Sequence, residues 1–286
     1  MANLKEIRNR ITSVSSTMQI TSAMKMVSAA KLKKAQDAIT AMRPYSDKLT
    51  ELLQSLSASL DADSGSKFAD NREVKKVLVV AITSNRGLAG AFNSNILKQT
   101  TVLNDEVYAG KQVDFVAIGK KANDFWAKRA KVIANHSGIF DDLTFDSVAA
   151  IAEDLMEQFV SGNYDRIDIV YNKFKNAATQ LVMTEQFLPI VPAAGGDAIS
   201  ADYTFEPSKA EIVEQLIPKS LKTQLYKAVR DSFASEHGAR MTAMHKATDN
   251  ATELRDQLKL TYNKARQAAI TNEILEIVGG AEALNN

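Results

Sequence analysis

The residues best equipped for chemistry in this chain of 286 residues are few and scattered. The stretch "TSNRGLAGAFNSN", residues 83 to 95, sets Gly87 and Gly90 beside Arg86 at what reads as a strand-to-helix turn. Exposed backbone amides at such a turn can cradle a phosphate. The stretch lacks the three-glycine dinucleotide fingerprint, and it lacks the lysine followed by serine or threonine of a P-loop. Close packing of the turn on a sheet is the competing use. His136, His237 and His245 have no metal-ligand spacing. With no cysteine, thiolate metal sites and disulfides are excluded, which suits a reducing compartment. No catalytic residue, cofactor or metal site is expected.

Bulk composition fits a globular protein of one or two domains, with 45% hydrophobic and 24% charged residues. A net charge of +1 gives no global case for nucleic acid or an acidic polymer as partner. The first 50 residues are locally basic, carrying Lys5, Arg8, Arg10, Lys25, Lys31, Lys33, Lys34, Arg43 and Lys48 against Glu6, Asp37 and Asp47. Apolar runs such as Val77 to Ile82 fall far short of the ~20 residues that span a bilayer. Met1 to Arg10 is too polar for the core of a signal peptide. A soluble, non-exported protein is expected.

The elements that must position these residues are three. From Leu4 the apolar positions run Leu4, Ile7, Ile11, Val14 and Met18, three and four apart, which predicts a helix with one seam. Ile20, Met24 and Val27 carry a thin stripe onward, and Leu32, Ala35, Ile39, Met42, Leu49, Leu52, Leu56 and Leu60 resume it. Pro44 should bend this helix, since it removes a donor and crowds the preceding turn. Exposed loops are expected at residues 61–73 and 192–207. Between them, short valine-rich runs alternate with helical patterns: "VKKVLVVAIT", "VDFVAIG", "KVIANH", "RIDIVYNKF" and "TQLVMTEQFLPI" read as strands. That alternation predicts a mostly parallel sheet with helices packed on it.

From Ser208 the chain is helical again, interrupted at Pro218. Its seam runs Met241, Met244, Thr248, Ala251, Leu254 and Leu258, then Ile270, Ile274, Ile277 and Ala281. Each terminal helix would be roughly 90 Å long at 1.5 Å per residue. Packing one on the other as an antiparallel coiled coil buries both narrow stripes. Ala23, Ala29 and Ala30, set opposite Ala265, Ala268 and Ala269, would let the backbones approach closely. A bundle or an intermolecular coiled coil would satisfy the stripes too, and periodicity alone does not choose. The expected fold class is α/β: a long antiparallel coiled coil of N- and C-terminal helices with a central Rossmann-like α/β domain. Its parts are helices at 1–60 and 208–286 and the α/β domain at 74–192.

Three segments carry a family resemblance along the whole chain: "IRNRITSVSSTMQITSAMKMVSAAK" (7–31), "TSNRGLAGAFNSN" (83–95) and "SEHGARMTAMHKATDNATELRDQLKLTYNKARQAAITNEILEIVGGAEAL" (235–284). They resemble the gamma subunits of F-type ATP synthases, the last block most specifically. The resemblance implies a shaft of paired terminal helices in the bore of the alpha and beta subunits. It also implies a Rossmann-like foot that joins epsilon and the membrane ring of c subunits. Ion flow would turn ring and shaft together, driving the catalytic beta subunits through their conformations while this chain transmits torque. By the same resemblance Arg266 and Gln267 hydrogen-bond a beta-subunit loop at one angular position. Arg86 and Lys98 face an acidic loop of a beta subunit, and Met24 lies beside that loop.

Taken alone, Arg266 reads as a solvated helix arginine, since an exposed ion pair contributes only ~0 to 1 kcal/mol. Met24 serves equally as seam packing. Ala89 stands where the family commonly has cysteine and Asn85 where it has aspartate, and Gly238 falls inside a helix at a cost of ~1 kcal/mol against alanine. The missing cysteine-bearing insertion and the start directly on the shaft helix favour a bacterial subunit, peripheral on the cytoplasmic face of the inner membrane. The alternatives are a nucleotide-binding α/β protein with helical arms and a static coiled-coil scaffold.

Overall fold

The computed structural model describes residues 4–57, 67–70, 72–190 and 209–285. The loops expected at 61–73 and 192–207 lie largely outside them. Two helices dominate, α1 (Leu4–Ser57) and α5 (Lys209–Asn285). Both run uninterrupted through their prolines, Pro44 and Pro218, so the break expected at Pro218 is corrected. A proline removes one backbone bond, and here the ladder re-forms on either side. Among the described residues no helix is long and apolar enough to cross a membrane.

The chain divides into two compact units, Met1–Ser28 with Met241–Asn286, and Ala29–Arg240. The second unit holds a five-stranded sheet of β1 (Lys76–Ile82), β2 (Gln112–Ile118), β3 (Val132–Asn135), β4 (Arg166–Phe174) and β5 (Gln180–Leu188). Strand order is β3-β2-β1-β4-β5. The first four strands are parallel and β5 is antiparallel to β4. The connecting helices are α2 (Phe92–Val102), α3 (Lys120–Trp126) and α4 (Phe145–Val160). Thr144 starts α4 with a reciprocal cap: its hydroxyl accepts from the Ser147 amide, and the Ser147 side chain answers.

Alternate side chains of a strand point to opposite faces, so a central strand covered on both sides must be apolar throughout. β1 meets that demand. Leu78, Val80 and Ile82 enter a core shared with α4 and with Ile217, Leu221, Leu225 and Val229 of α5. Val77, Val79 and Ala81 enter a second core with Ile96 of α2 and Trp126 of α3. There Phe115 and Trp126 stack with ring centroids 3.8 Å apart. The stretch of α1 in this unit buries Leu32, Ala35, Ile39 and Leu49, as the spacing predicts.

In the first unit α1 and α5 run antiparallel. The Arg8 guanidinium donates to the Tyr262 hydroxyl (2.7 Å), the Thr21 and Thr248 hydroxyls meet at 2.8 Å, and Thr252 donates to the Met18 sulfur (3.3 Å). The thin stripe expected from Ile20, Met24 and Val27 is not the seam. Ile20 is 60% and Val27 57% exposed, whereas Thr21 and Ser28 (2%) are buried. Each buried hydroxyl bonds a carbonyl of its own helix, Thr21 to Met18 (3.1 Å) and Ser28 to Met24 (2.8 Å), so burial leaves neither unpaired. The expected alanine juxtaposition is also corrected. Since Tyr262 faces Arg8, Ala265 falls opposite the start of α1, far along the helix from Ala23. Ile270, Ile274 and Ile277, placed on the seam by their spacing, are exposed instead.

Candidate functional site

Strand order reverses between β1 and β4, and in open α/β sheets the crevice at such a reversal is the usual ligand site. In this chain α5 occupies it. The Ser235 hydroxyl donates to the Asn172 main-chain carbonyl at the end of β4 (2.9 Å), and the Asn172 side-chain amide (Nδ2) donates to the Phe92 carbonyl at the start of α2 (3.1 Å). A Cβ on Gly238 would stand 3.2 Å from the Ala177 Cα and 3.4 Å from the Phe174 ring, so glycine lets the helix approach the β4–β5 turn. The helix weakness expected at Gly238 is thus exchanged for close packing. Ala239 completes the contact with Ala89 and Phe92. The turn bearing Gly87 and Gly90 therefore packs against the chain itself.

The loop after β1 is bound at each step. Asn93 Oδ1 accepts the Ser84 amide (2.9 Å) and the Ser84 hydroxyl donates to the Arg86 carbonyl (2.6 Å). Asn85 donates from its amide to the Ser137 carbonyl (2.7 Å) and accepts the Lys120 amide (2.9 Å), a donor-plus-acceptor role that an ionised aspartate cannot fill. Gly119 leaves the Thr83 carbonyl room that any Cβ would take. At the tip, Leu88 is 66% exposed with φ +61° and Gly90 has φ +57°. From α5, buried Arg240 donates to Glu236 (2.5 Å) and forks onto the carbonyls of Arg86 (3.2 Å) and Gly87 (3.3 Å).

Burial raises the Glu236 carboxyl pKa, and Arg240 only partly offsets the rise. Its neighbour His237 is drawn down to about 4 by burial first, then by the charges of Arg240 and Lys31. Among the described residues neither imidazole nitrogen has a hydrogen-bond partner, and the ring meets Phe233 edge-on at 4.5 Å. A separate cleft of about 640 Å³ between β3 and α4 is lined by Asp114, Lys131, His136, Asp154 and Tyr164. Its buried carboxylate, Asp114, is already engaged by the Tyr164 hydroxyl (2.7 Å).

Of the residues singled out from sequence, Arg86 and Lys98 lie in the second unit, on the loop after β1 and on α2, and both are exposed. Met24, Arg266 and Gln267 lie in the first. Met24 is half-buried on α1; Arg266 and Gln267 are exposed on α5, where the Gln267 carbonyl accepts the Thr271 hydroxyl (2.9 Å). Sequence reasoning missed Glu236, His237 and Arg240 as a group. Their signal is the small residues Ala234, Ser235, Gly238 and Ala239 interleaved with polar ones in "ASEHGAR", a spacing that permits a close approach on a polar helix face.

A family model described as ATP synthase matches residues 3–284. The ATP synthase gamma chain of Flavobacterium psychrophilum is 75% identical over 285 residues, covering 99% of each chain. That of Flavobacterium johnsoniae is 74% identical over 286 residues, covering 100% of each. Among solved structures, the central stalk and c-ring of the Tetrahymena thermophila mitochondrial ATP synthase includes a similar chain at 25% identity and TM-score 0.59, covering 80% of this chain and 99% of that one. The rotor of the Euglena gracilis mitochondrial ATP synthase includes another with the same fold at 24% identity and TM-score 0.66, covering 93% and 98%. Matched over nearly its whole length at this identity, the chain belongs to the ATP synthase gamma-chain family.

Proposed function

We propose that this chain is the central-stalk rotor subunit of a bacterial F-type ATP synthase, coupling ion-driven rotation of a c-ring to ATP synthesis or hydrolysis on beta subunits. The observation that carries the reading is the end-to-end match to gamma chains, joined to antiparallel pairing of the terminal helices. Residues 1–60 and 208–286 form the stalk, and residues 74–192 form the foot. The chain is non-catalytic: its sheet crevice, where a nucleotide would sit, is filled by Ser235–Arg240. Alpha and beta subunits surround the stalk, epsilon and the c-ring take the foot, and the chain meets the membrane only through the complex, at its cytoplasmic face. Arg266, Gln267, Arg86, Lys98 and Met24 contact beta subunits.

The test is reconstitution. Alpha and beta subunits of a close flavobacterial relative, mixed with this chain, are expected to assemble with it and to hydrolyse ATP with continuous rotation of a bead fixed to the foot. Hydrolysis without rotation of the bead, or no assembly, would overturn the rotor reading.

A further inference from the structure

The buried pair Glu236–Arg240 lies beside the loop that displays Arg86, yet it touches none of the proposed contact side chains. A buried ion pair is retained at a desolvation cost unless its remaining donors are engaged. Arg240 uses them on main chain: one nitrogen faces Glu236 (2.5 Å) and another bridges the carbonyls of Arg86 (3.2 Å) and Gly87 (3.3 Å). The Arg86 carbonyl also takes the Ser84 hydroxyl, so one peptide unit is held from two sides. Immediately beyond, Leu88 is displayed to solvent in the left-handed region, a conformation that a leucine keeps only where its surroundings dictate it. Only a guanidinium has the fork for this; an ammonium at the same place would be a single point charge.

We propose that Arg240, gripped by Glu236, is a positioning residue for the loop at 84–90, aiming Arg86 and Leu88 at a beta-subunit surface. The assignment rests on the reading that Arg86 makes such a contact. Its consequence is that loosening Arg240 weakens torque transfer although every contact side chain is still present.

Arg240→Lys keeps a positive charge beside Glu236 but removes the fork, and Arg240→Gln with Glu236→Gln removes both charges without leaving one buried alone. Each full-length variant is assembled with alpha and beta subunits and compared by amide exchange and steady-state hydrolysis. Both are expected to speed exchange at Gly87–Gly90 by about tenfold or more. Both should lower kcat several-fold with KM for ATP unchanged. Adding Arg86→Ala to either should lower kcat by less than about twofold further, since both changes act through one contact. Unchanged exchange at 87–90 would overturn the proposal, and so would faster exchange with wild-type kcat. Should Arg86→Ala alone be silent while the Arg240 variants lose kcat, the reading of Arg86 falls and the positioning role stands through Leu88.

Discussion

At the scale of single residues, His237 is the group whose environment conflicts most with its chemistry. It is 5% exposed, its ring edge packs on Phe233, and neither nitrogen finds a partner among the described residues. The charges that act on it are Arg240 on its own helix and Lys31 on α1. Burial first, and then the charges of Arg240 and Lys31, keep the imidazole neutral, with its pKa at about 4 against 6.5 for an unperturbed histidine. As pH falls below 6.5 the unfolded chain takes up the proton first. Stability from a neutral His237 is therefore complete above that value and is lost as pH drops towards 4. Glu236, whose pKa is raised, acts in the opposite direction, so the histidine must be isolated by difference. Urea unfolding of the chain and of His237→Phe at two pH values does this. The stability advantage of the wild type over the variant should shrink by roughly 2 kcal/mol between pH 7 and pH 5. A constant difference would mean that the imidazole is charged or solvated in the native state.

At the scale of elements, the pairing of α1 with α5 makes a prediction of register that the cysteine-free sequence makes easy to check. With the Thr21 and Thr248 hydroxyls 2.8 Å apart, cysteine sulfurs at those two positions would be directed at each other. Thr21→Cys with Thr248→Cys should close an intrachain bond under mild air oxidation. Ala23→Cys with Ala265→Cys should stay reduced, and the opposite outcome, read on a non-reducing gel, would refute the register. The contrast marks what was legible in the sequence. The strands from Lys76 to Leu188 follow from apolar runs broken by turns, since a strand covered on both faces has no other composition. The seam at Thr21 and Ser28 does not follow, because apolar periodicity gives no weight to a hydroxyl that satisfies itself on its own helix and can then be buried. Ile20 and Val27 carry the apolar signal yet face solvent. The filling of the sheet crevice was equally hidden: Ser235, Glu236, His237 and Arg240 are polar, and Arg240 sits 154 residues from Arg86, whose carbonyl it holds. Long-range polar contacts leave no local period to read.

At the scale of the whole molecule, function belongs to the surfaces that folding leaves uncovered, and composition could not reveal it. A net charge of +1 and an ordinary apolar fraction point to no partner; the family match does. Past the end of its pairing with α1, α5 carries Ile270, Ile274, Ile277 and Val278 in the open. Arg266 and Gln267 begin the same stretch without any side-chain bond among the described residues. Groups that contribute nothing to the fold can be altered without unfolding it, so stability and assembly separate here. Replacing both Arg266 and Gln267 by alanine should change the stability of the isolated chain by less than about 0.5 kcal/mol, the usual range for exposed sites without partners. In complexes assembled with alpha and beta subunits, the same variant should lose hydrolytic turnover several-fold, or fail to assemble at concentrations where the wild type does. Salt sharpens the comparison: a contact made by the Arg266 charge is screened as ionic strength rises, whereas an apolar one is not. The deficit of the variant should therefore narrow between low and high salt, because the wild type gives up its charged contact while the variant has none to lose. Equal turnover and assembly at low salt would remove both residues from the interface with the beta subunits.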